Sequence, residues 1–345
     1  VLERLADLDK EYEDVVSQLG DPEVLSDQRR LRDVSRRHKV LEPIVQAYRQ
    51  YRSAHDDLEV AKELGMQDEV VDAEGRIHRL EEELKVLLLP KDPNDDKNVI
   101  VEIRGAEGGE EANLFAKDLF EMYQRYADRH GWKMEVLGAE PSDMGGFNEV
   151  TFMLKGDGVW TRMKHEGGPH RVQRVPVTES QGRIHTSAAT VTVLPEAEEV
   201  DVQVDPNDLK IDVYRSTGPG GQSVNTTDSA VRITHLPTGI VVAMQDEKSQ
   251  IQNRARAMVV LRARLLKAEQ DRQQAELSSA RRSQVGGGGR SEKIRTYNFK
   301  ENRVSDHRIN LTLAGKMDRI LQGDLDELID ALIADERARQ LAGEA

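Results

Sequence analysis

Across Pro90–Asp96 the hydrophobic period of this chain switches from three-and-four to two, so the residues on either side cannot share one layer of structure. Upstream, Leu2, Leu5, Leu8, Tyr12, Val15 and Leu19 form the stripe of an amphipathic helix, which Asp21-Pro22 breaks. Leu31, Val34, Leu41, Ile44, Tyr48 and Tyr51 predict a second helix, and Ile77, Leu80, Leu84 and Leu87 a third. Such stripes serve helix packing, and residues 1–95 read as an N-terminal helical domain. Downstream, Val99, Val101 and Ile103 alternate as in a strand. Gly105–Gly109 then turns the chain, and Leu114, Phe115, Leu119, Met122 and Tyr126 mark a helix. Val150, Phe152 and Leu154 alternate again, which makes residues 96–200 an α+β layer.

A second α+β stretch occupies 201–283. Ile211 and Val213 suit a short strand, and Val231–Thr234 and Ile240–Ala243 flank Pro237-Thr238-Gly239, good hairpin chemistry. A charged helix is predicted over roughly 249–282, and the run Gly286–Gly289 stops it and supplies a joint. Residues 284–345 read as that joint followed by mixed strand and helix. The expected fold class is therefore α+β and multidomain, and no internal repeat is visible.

Cysteine is absent, which removes disulfides, thiolate nucleophiles and thiolate-bound zinc and fits a cytoplasmic protein. No apolar run approaches the ~20 residues of a membrane helix. No secretory pattern opens the chain, and because it starts on Val1 some residues are expected to precede it. The formal charge of −14 is unevenly spread. Residues 1–100 hold 16 basic and 25 acidic side chains (−9), whereas 248–308 hold 15 and 6 (+9). A basic stretch can dock on phosphate or be a solvated helix face; charge alone leaves both open.

Several familiar patterns fail. His165-Glu166-Gly167-Gly168-Pro169-His170 spaces its histidines at i+5 and carries Gly-Gly-Pro, which prevents the helix a zinc-protease box needs. Gly286–Gly289 leads into Arg290, not Lys-Ser/Thr, so it makes no phosphate loop. No serine, histidine and aspartate are arranged as a triad. The informative segment is Ser216-Thr217-Gly218-Pro219-Gly220-Gly221-Gln222-Ser223-Val224-Asn225, a tight loop whose glycines let main-chain amides approach a ligand. Gly-Gly-Gln by itself would be an ordinary loop tip, but it has company: Arg171–Ser187 upstream, Asn225–Ala230 just after, and Arg295–Phe299 and Asp306-His307-Arg308 near the C-terminus.

On these motifs the sequence resembles bacterial class I peptide chain release factors over essentially its whole length. Pro176-Val177-Thr178 resembles the Pro-x-Thr element of the branch that reads UAG and UAA; the branch reading UGA and UAA carries Ser-Pro-Phe there. The resemblance implies that Thr178 contacts the first two codon bases and that Gly108 and Glu111 contact the first uridine. His185 would stack on the second base and split it from the third, which Gln173 and Thr186 would read. Pro176, Val177 and Ile184 complete the codon-recognition set. It also implies that Gly220, Gly221 and Gln222 promote ester hydrolysis and that Gln222 is N5-methylated by a dedicated glutamine methyltransferase. The implied partners are ribosomal RNA of both subunits, the mRNA stop codon, P-site peptidyl-tRNA and a recycling GTPase release factor. A monomer without cofactor or metal is expected.

The residue chemistry is compatible. Pro176 restricts its own φ and biases Val175 toward extended backbone. A threonine hydroxyl both donates and accepts, and bases of a single strand are read by hydrogen bonds and stacking. The glycine loop offers no general base and no metal ligands, which leaves amide donation and positioning. Arg254, Arg256, Arg262 and Arg264 are candidate rRNA contacts. Three other readings compete: a codon-independent ribosome rescue hydrolase, a non-catalytic rRNA-binding assembly protein, and a stand-alone esterase.

Overall fold

A computed structural model describes residues 2–197, 202–215, 228–245, 247–286 and 292–343. The chain divides into two compact units, Val1–Pro93 with Asp330–Ala345, and Asn94–Ile329. In the first, helices α1 (Leu2–Leu19), α2 (Pro22–Ser26), α3 (Gln28–Leu64) and α4 (Gln67–Leu87) follow one another. Asp21 and Asp27 cap α2 and α3, their carboxylates accepting from the Glu23 and Arg29 amides at 3.0 and 3.1 Å. The predicted stripes form the cores: Leu5, Ile44, Tyr48 and Leu84 cluster together, as do Val15, Val24, Val34 and Leu41. The second predicted helix does not stop near Tyr51 but continues to Leu64. Past Tyr51 its buried side chains are Ala54 and Ala61, and alanine carries too little hydrophobic signal to be noticed in a periodicity.

The second unit is built on an eight-stranded sheet in the order β11-β10-β9-β4-β5-β1-β3-β2. Its central strands are β1 (Val99–Gly105), β3 (Phe147–Lys155), β4 (Gly168–Arg174) and β5 (His185–Pro195); β2 (Lys133–Pro141) forms one edge. Val101 is registered with Phe152 on one side and Val193 on the other. Helix α5 (Glu110–Arg129) covers this face with Phe115, Leu119, Met122 and Tyr126, all fully buried. Each such side chain contributes roughly 1.5–3 kcal/mol of burial.

The C-terminal strands β9 (Arg295–Asn298), β10 (Arg303–Asp306) and β11 (Leu311–Ala314) extend the same sheet, with β9 parallel to β4. A wholly buried ionic cluster accompanies this junction. Arg295 donates to both Glu166 oxygens at 2.6 and 2.7 Å and to Asp306 at 3.2 Å. Burial, the largest single influence, would raise the Glu166 pKa, but the charge and hydrogen bonds of Arg295, with smaller help from neighbouring cations, together outweigh it and bring the carboxyl down to about 2. His170 shares polar contacts with the Tyr297 hydroxyl at 3.1 Å and the Glu166 carbonyl at 2.9 Å. Burial, helped by the Arg295 charge, lowers its pKa to about 4. Glu166 and His170 of the zinc look-alike thus belong to this packing.

A three-stranded sheet, β6 (Leu209–Tyr214), β7 (Ala230–His235) and β8 (Ile240–Met244), packs Val231, Ile233 and Val242 against Ala257, Leu261 and Leu265 of α6 (Gln250–Val285). The long helix ends at Gly286, whose φ of +58° suits glycine. Its last turns meet the large sheet. Arg281 forks onto Glu102 at 2.7 and 2.8 Å, and the Gln284 amide pairs with both the N–H and the carbonyl of Val193 at 2.7 and 2.8 Å. Strand β4 reaches only to Gly168, opposite Val191, so Gln284 takes the place of a missing strand residue beside Val193. Among the described residues no helix is long and apolar enough to cross a membrane.

Candidate functional site

The end of β1, the start of α5, the 176–178 segment and the start of β5 converge on a cleft of about 610 Å³. Gly108, Glu111, Pro176, Thr178, Ile184, His185 and Thr186, all singled out from sequence, line it together with Gly109, Glu110 and Ser187. The loop after β1 is fastened to β5: Ala106 N–H donates to the Ala188 carbonyl at 2.9 Å and Ala188 N–H to the Glu107 carbonyl at 2.8 Å. Gly108, at φ +126°, lies so close to Ser187 that a Cβ would collide with its side chain. This approach sets the tip of α5 against β5 and requires glycine. Gly109 then supplies the N-cap position without a side-chain bond, leaving first-turn amides free of a side-chain cap.

Glu110 accepts from the Met144 amide at 3.0 Å and from the Ser142 hydroxyl, and the latter bond contributes most to holding its carboxyl below the usual range. Glu111 lines the cleft, yet its carboxylate is engaged by Arg174, which also donates to Asp118 at 2.6 Å. The Arg174 guanidinium lies 5.1 Å from the Phe299 ring centre and 6.0 Å from that of Phe115. Burial would lower its pKa; the hydrogen bond and charges of Glu111 and Asp118 raise it instead.

Across the β4–β5 ladder Gln173 is the register partner of Thr186, and Arg174 of His185. Gln173 lies beside Thr186 but does not line the cleft itself. Between the strands, Glu179 N–H donates to the Pro176 carbonyl at 3.1 Å, closing a turn whose two central residues are Val177 and Thr178. Pro176 is buried and Thr178 exposed, while Val177 is 78% exposed and outside the cleft lining. Glu179 fixes the rest of the segment: it accepts from Gln181 N–H at 2.8 Å and pairs with Arg183 at 3.3 Å and His185 Nε2 at 3.1 Å. The Gln181 bond contributes most to lowering its pKa. Sequence reasoning missed Arg174, Glu179 and Ser187 as site-building residues. Only Glu179 had a local signal, an acid two residues before an amide donor in a turn.

Gly220, Gly221 and Gln222 lie outside the described residues. Their stem is described: the β6–β7 ladder ends at Tyr214 opposite Ala230, and Arg215 pairs with Asp228 at 3.6 Å. Of the four arginines on α6, Arg256 pairs with Glu247 at 2.8 Å and Arg264 donates to the Val241 carbonyl at 3.0 Å, while Arg254 and Arg262 are exposed. At about 100° per residue the four arginines spread over roughly 240° of the helix circumference and so do not form a single face.

Residues 8–191 match the PCRF domain family and residues 198–308 the RF-1 domain family. Peptide chain release factor 1 of Carboxydothermus hydrogenoformans is 56% identical, the alignment covering 99% of this chain and 98% of that protein. The protein of the same name from Clostridioides difficile is 53% identical over 99% of each. Among solved structures, RF2 of Thermus thermophilus is 33% identical with a TM-score of 0.51, covering 98% of this chain and 100% of that one. The cleft, the two-sheet architecture and these full-length likenesses agree, and the chain belongs to the peptide chain release factor 1 family.

Proposed function

We infer that this chain terminates translation: it recognises UAG and UAA in the ribosomal A site and promotes hydrolysis of the peptidyl-tRNA ester in the peptidyl transferase centre. The observation that carries the codon-reading half is the convergence of the α5 tip, the Pro176–Glu179 turn and the start of β5 on one polar cleft. There Thr178, held at a turn centre by buried Pro176, offers a hydroxyl to the edges of the first two bases. Gly108 and Glu111 meet the first uridine; because Arg174 occupies the Glu111 carboxylate, that contact falls to main-chain groups of the helix tip. His185 stacks on the second base, with Ile184 beside it on the cleft wall. Gln173 and Thr186, opposite one another in the ladder, read the third. A hydroxyl can turn to accept from adenine N6–H or donate to guanine O6, which accounts for tolerance of either purine.

Release is water attack on an ester. In this reading the Gln222 main-chain N–H donates to the developing oxyanion, Gly220 and Gly221 permit its approach, and the Gln222 side chain admits water and excludes larger nucleophiles. The chain is then no stand-alone enzyme, since the ribosome completes the site. The work divides among residues 1–95, a codon module 96–200, a release module 201–283, and 284–345, whose Gly286–Gly289 joint couples codon reading to release. A glutamine methyltransferase acting on Gln222, a recycling GTPase, rRNA contact through Arg254, Arg256, Arg262 and Arg264, a monomeric state and a cytoplasmic location complete the proposal.

Peptide release from ribosomes programmed with UAG, UAA, UGA or a sense codon tests it. Release confined to UAG and UAA is expected; indifference to the codon would instead indicate a rescue hydrolase.

A further inference from the structure

Asn253 lies in the first turn of α6 and is fully buried beside the apolar core of the release module. An amide in such a place is costly unless its hydrogen-bonding groups are satisfied. Here Oδ1 accepts the Glu247 N–H at 3.0 Å, and Nδ2 donates to the Glu247 carbonyl at 2.9 Å and to the Ser229 carbonyl at 2.7 Å. The first two bonds grip one backbone residue as a neighbouring strand would. The third crosses to the chain returning from the Gly-Gly-Gln segment, one residue before β7 begins. The stem also carries the end of the β6–β7 ladder and the Arg215–Asp228 pair, whose side chains are 71% and 62% exposed. An ion pair that open to water holds little, whereas the Asn253 bond to the Ser229 carbonyl is buried.

We propose that Asn253 is a positioning residue for peptide release. By tying the Ser229 carbonyl to the main chain of Glu247, it fixes where the returning limb of the loop is anchored. It thereby sets the placement of the Gln222 amide against the ester, and so rests on the role given to Gln222 above. Six residues lie between Gln222 and Ser229, and a misplacement of about 1 Å at a reacting centre costs on the order of 100-fold in rate.

Asn253→Ala removes all three bonds. Asn253→Asp keeps the acceptor for Glu247 N–H but sets a carboxylate oxygen against two carbonyls. Each full-length variant, in excess over UAA-programmed ribosomes carrying a labelled peptide, is expected to lower the plateau release rate about 10- to 100-fold at an unchanged half-saturating concentration. A merely destabilised factor does the opposite: its plateau holds and its half-saturating concentration rises. Misplacement should also raise the rate with hydroxylamine relative to water as nucleophile, because the pocket filter is no longer aligned. Gln222→Pro, which deletes the donor, is measured alongside. If Gln222→Pro releases at the wild-type plateau, the role of the Gln222 amide is wrong. If that variant is inactive while both Asn253 variants keep the wild-type plateau and nucleophile ratio, or change only in half-saturation, the positioning role of Asn253 is overturned.

Discussion

Arg174 grips the carboxylate of Glu111, and the two side chains are only 18% and 7% exposed. They lie 63 residues apart in sequence, yet their pairing decides how the tip of α5 enters the cleft. With Asp118 on a second guanidinium nitrogen and Phe299 beneath the plane, Arg174 connects the cleft to the C-terminal strands.

Truncating Arg174 strands the buried Glu111 carboxylate and leaves the partly exposed Asp118 without this partner. Arg174→Ala should cost about 3 kcal/mol of stability, measured by urea unfolding, and raise the half-saturating concentration for release on UAG. Arg174→Lys should recover only part of this, because a point charge cannot reproduce the forked contact to Glu111 and Asp118.

Thr178→Val preserves shape and deletes the hydroxyl. The half-saturating concentration on UAG and UAA is expected to rise roughly 5- to 30-fold, the effect of one or two kcal/mol, with little change in the plateau rate. A plateau that fell while half-saturation held would remove Thr178 from codon reading.

The His170 imidazole titrates near 6.5 when the chain is unfolded and at about 4 in the fold. Its pKa is depressed because burial and the Arg295 charge disfavour the cation, so below pH 6.5 the unfolded chain takes up a proton that the native state refuses. Stability is therefore complete above that pH and declines as pH falls toward 4, by about 3 kcal/mol in all. Glu166, with its pKa depressed to about 2, adds a further loss that begins below about 4.5. Urea unfolding between pH 7 and 4.5 should show the decline in the wild type and a shallower one in His170→Gln.

Gln284→Ala should unpair Val193 from the end of α6. Hydrogen exchange at the Val193 amide is expected to quicken about tenfold, as for loss of one hydrogen bond, while the amide of Val101, deep in the sheet, stays protected. Equal acceleration at both would mean that Gln284 supports the whole sheet and not this junction alone.

Much of the architecture was legible because its signals are local. The alternation of Val99, Val101 and Ile103 found its strand, the stripe from Phe115 to Tyr126 its helix, and Gly286 its helix end. The nine residues proposed to read the codon were gathered by motif, and seven of them line one cleft; Val177 and Gln173 lie outside its lining. The extension of α3 to Leu64 was not legible, since its contacts there are alanines.

The sequence by itself determined which segments become helix or strand, where the chain turns, and where the Gly-Gly-Gln and Pro-Val-Thr elements stand. Those follow from side-chain period and from the backbone rules of glycine and proline, which act over a few residues. Only the tertiary structure decided which polar groups are partners: Glu111 with Arg174, Glu166 with Arg295 across 129 residues, and Asn253 with Ser229. A buried carboxylate and a solvated one are the same letter, and what separates them is the charge or donor that folding brings within about 3 Å.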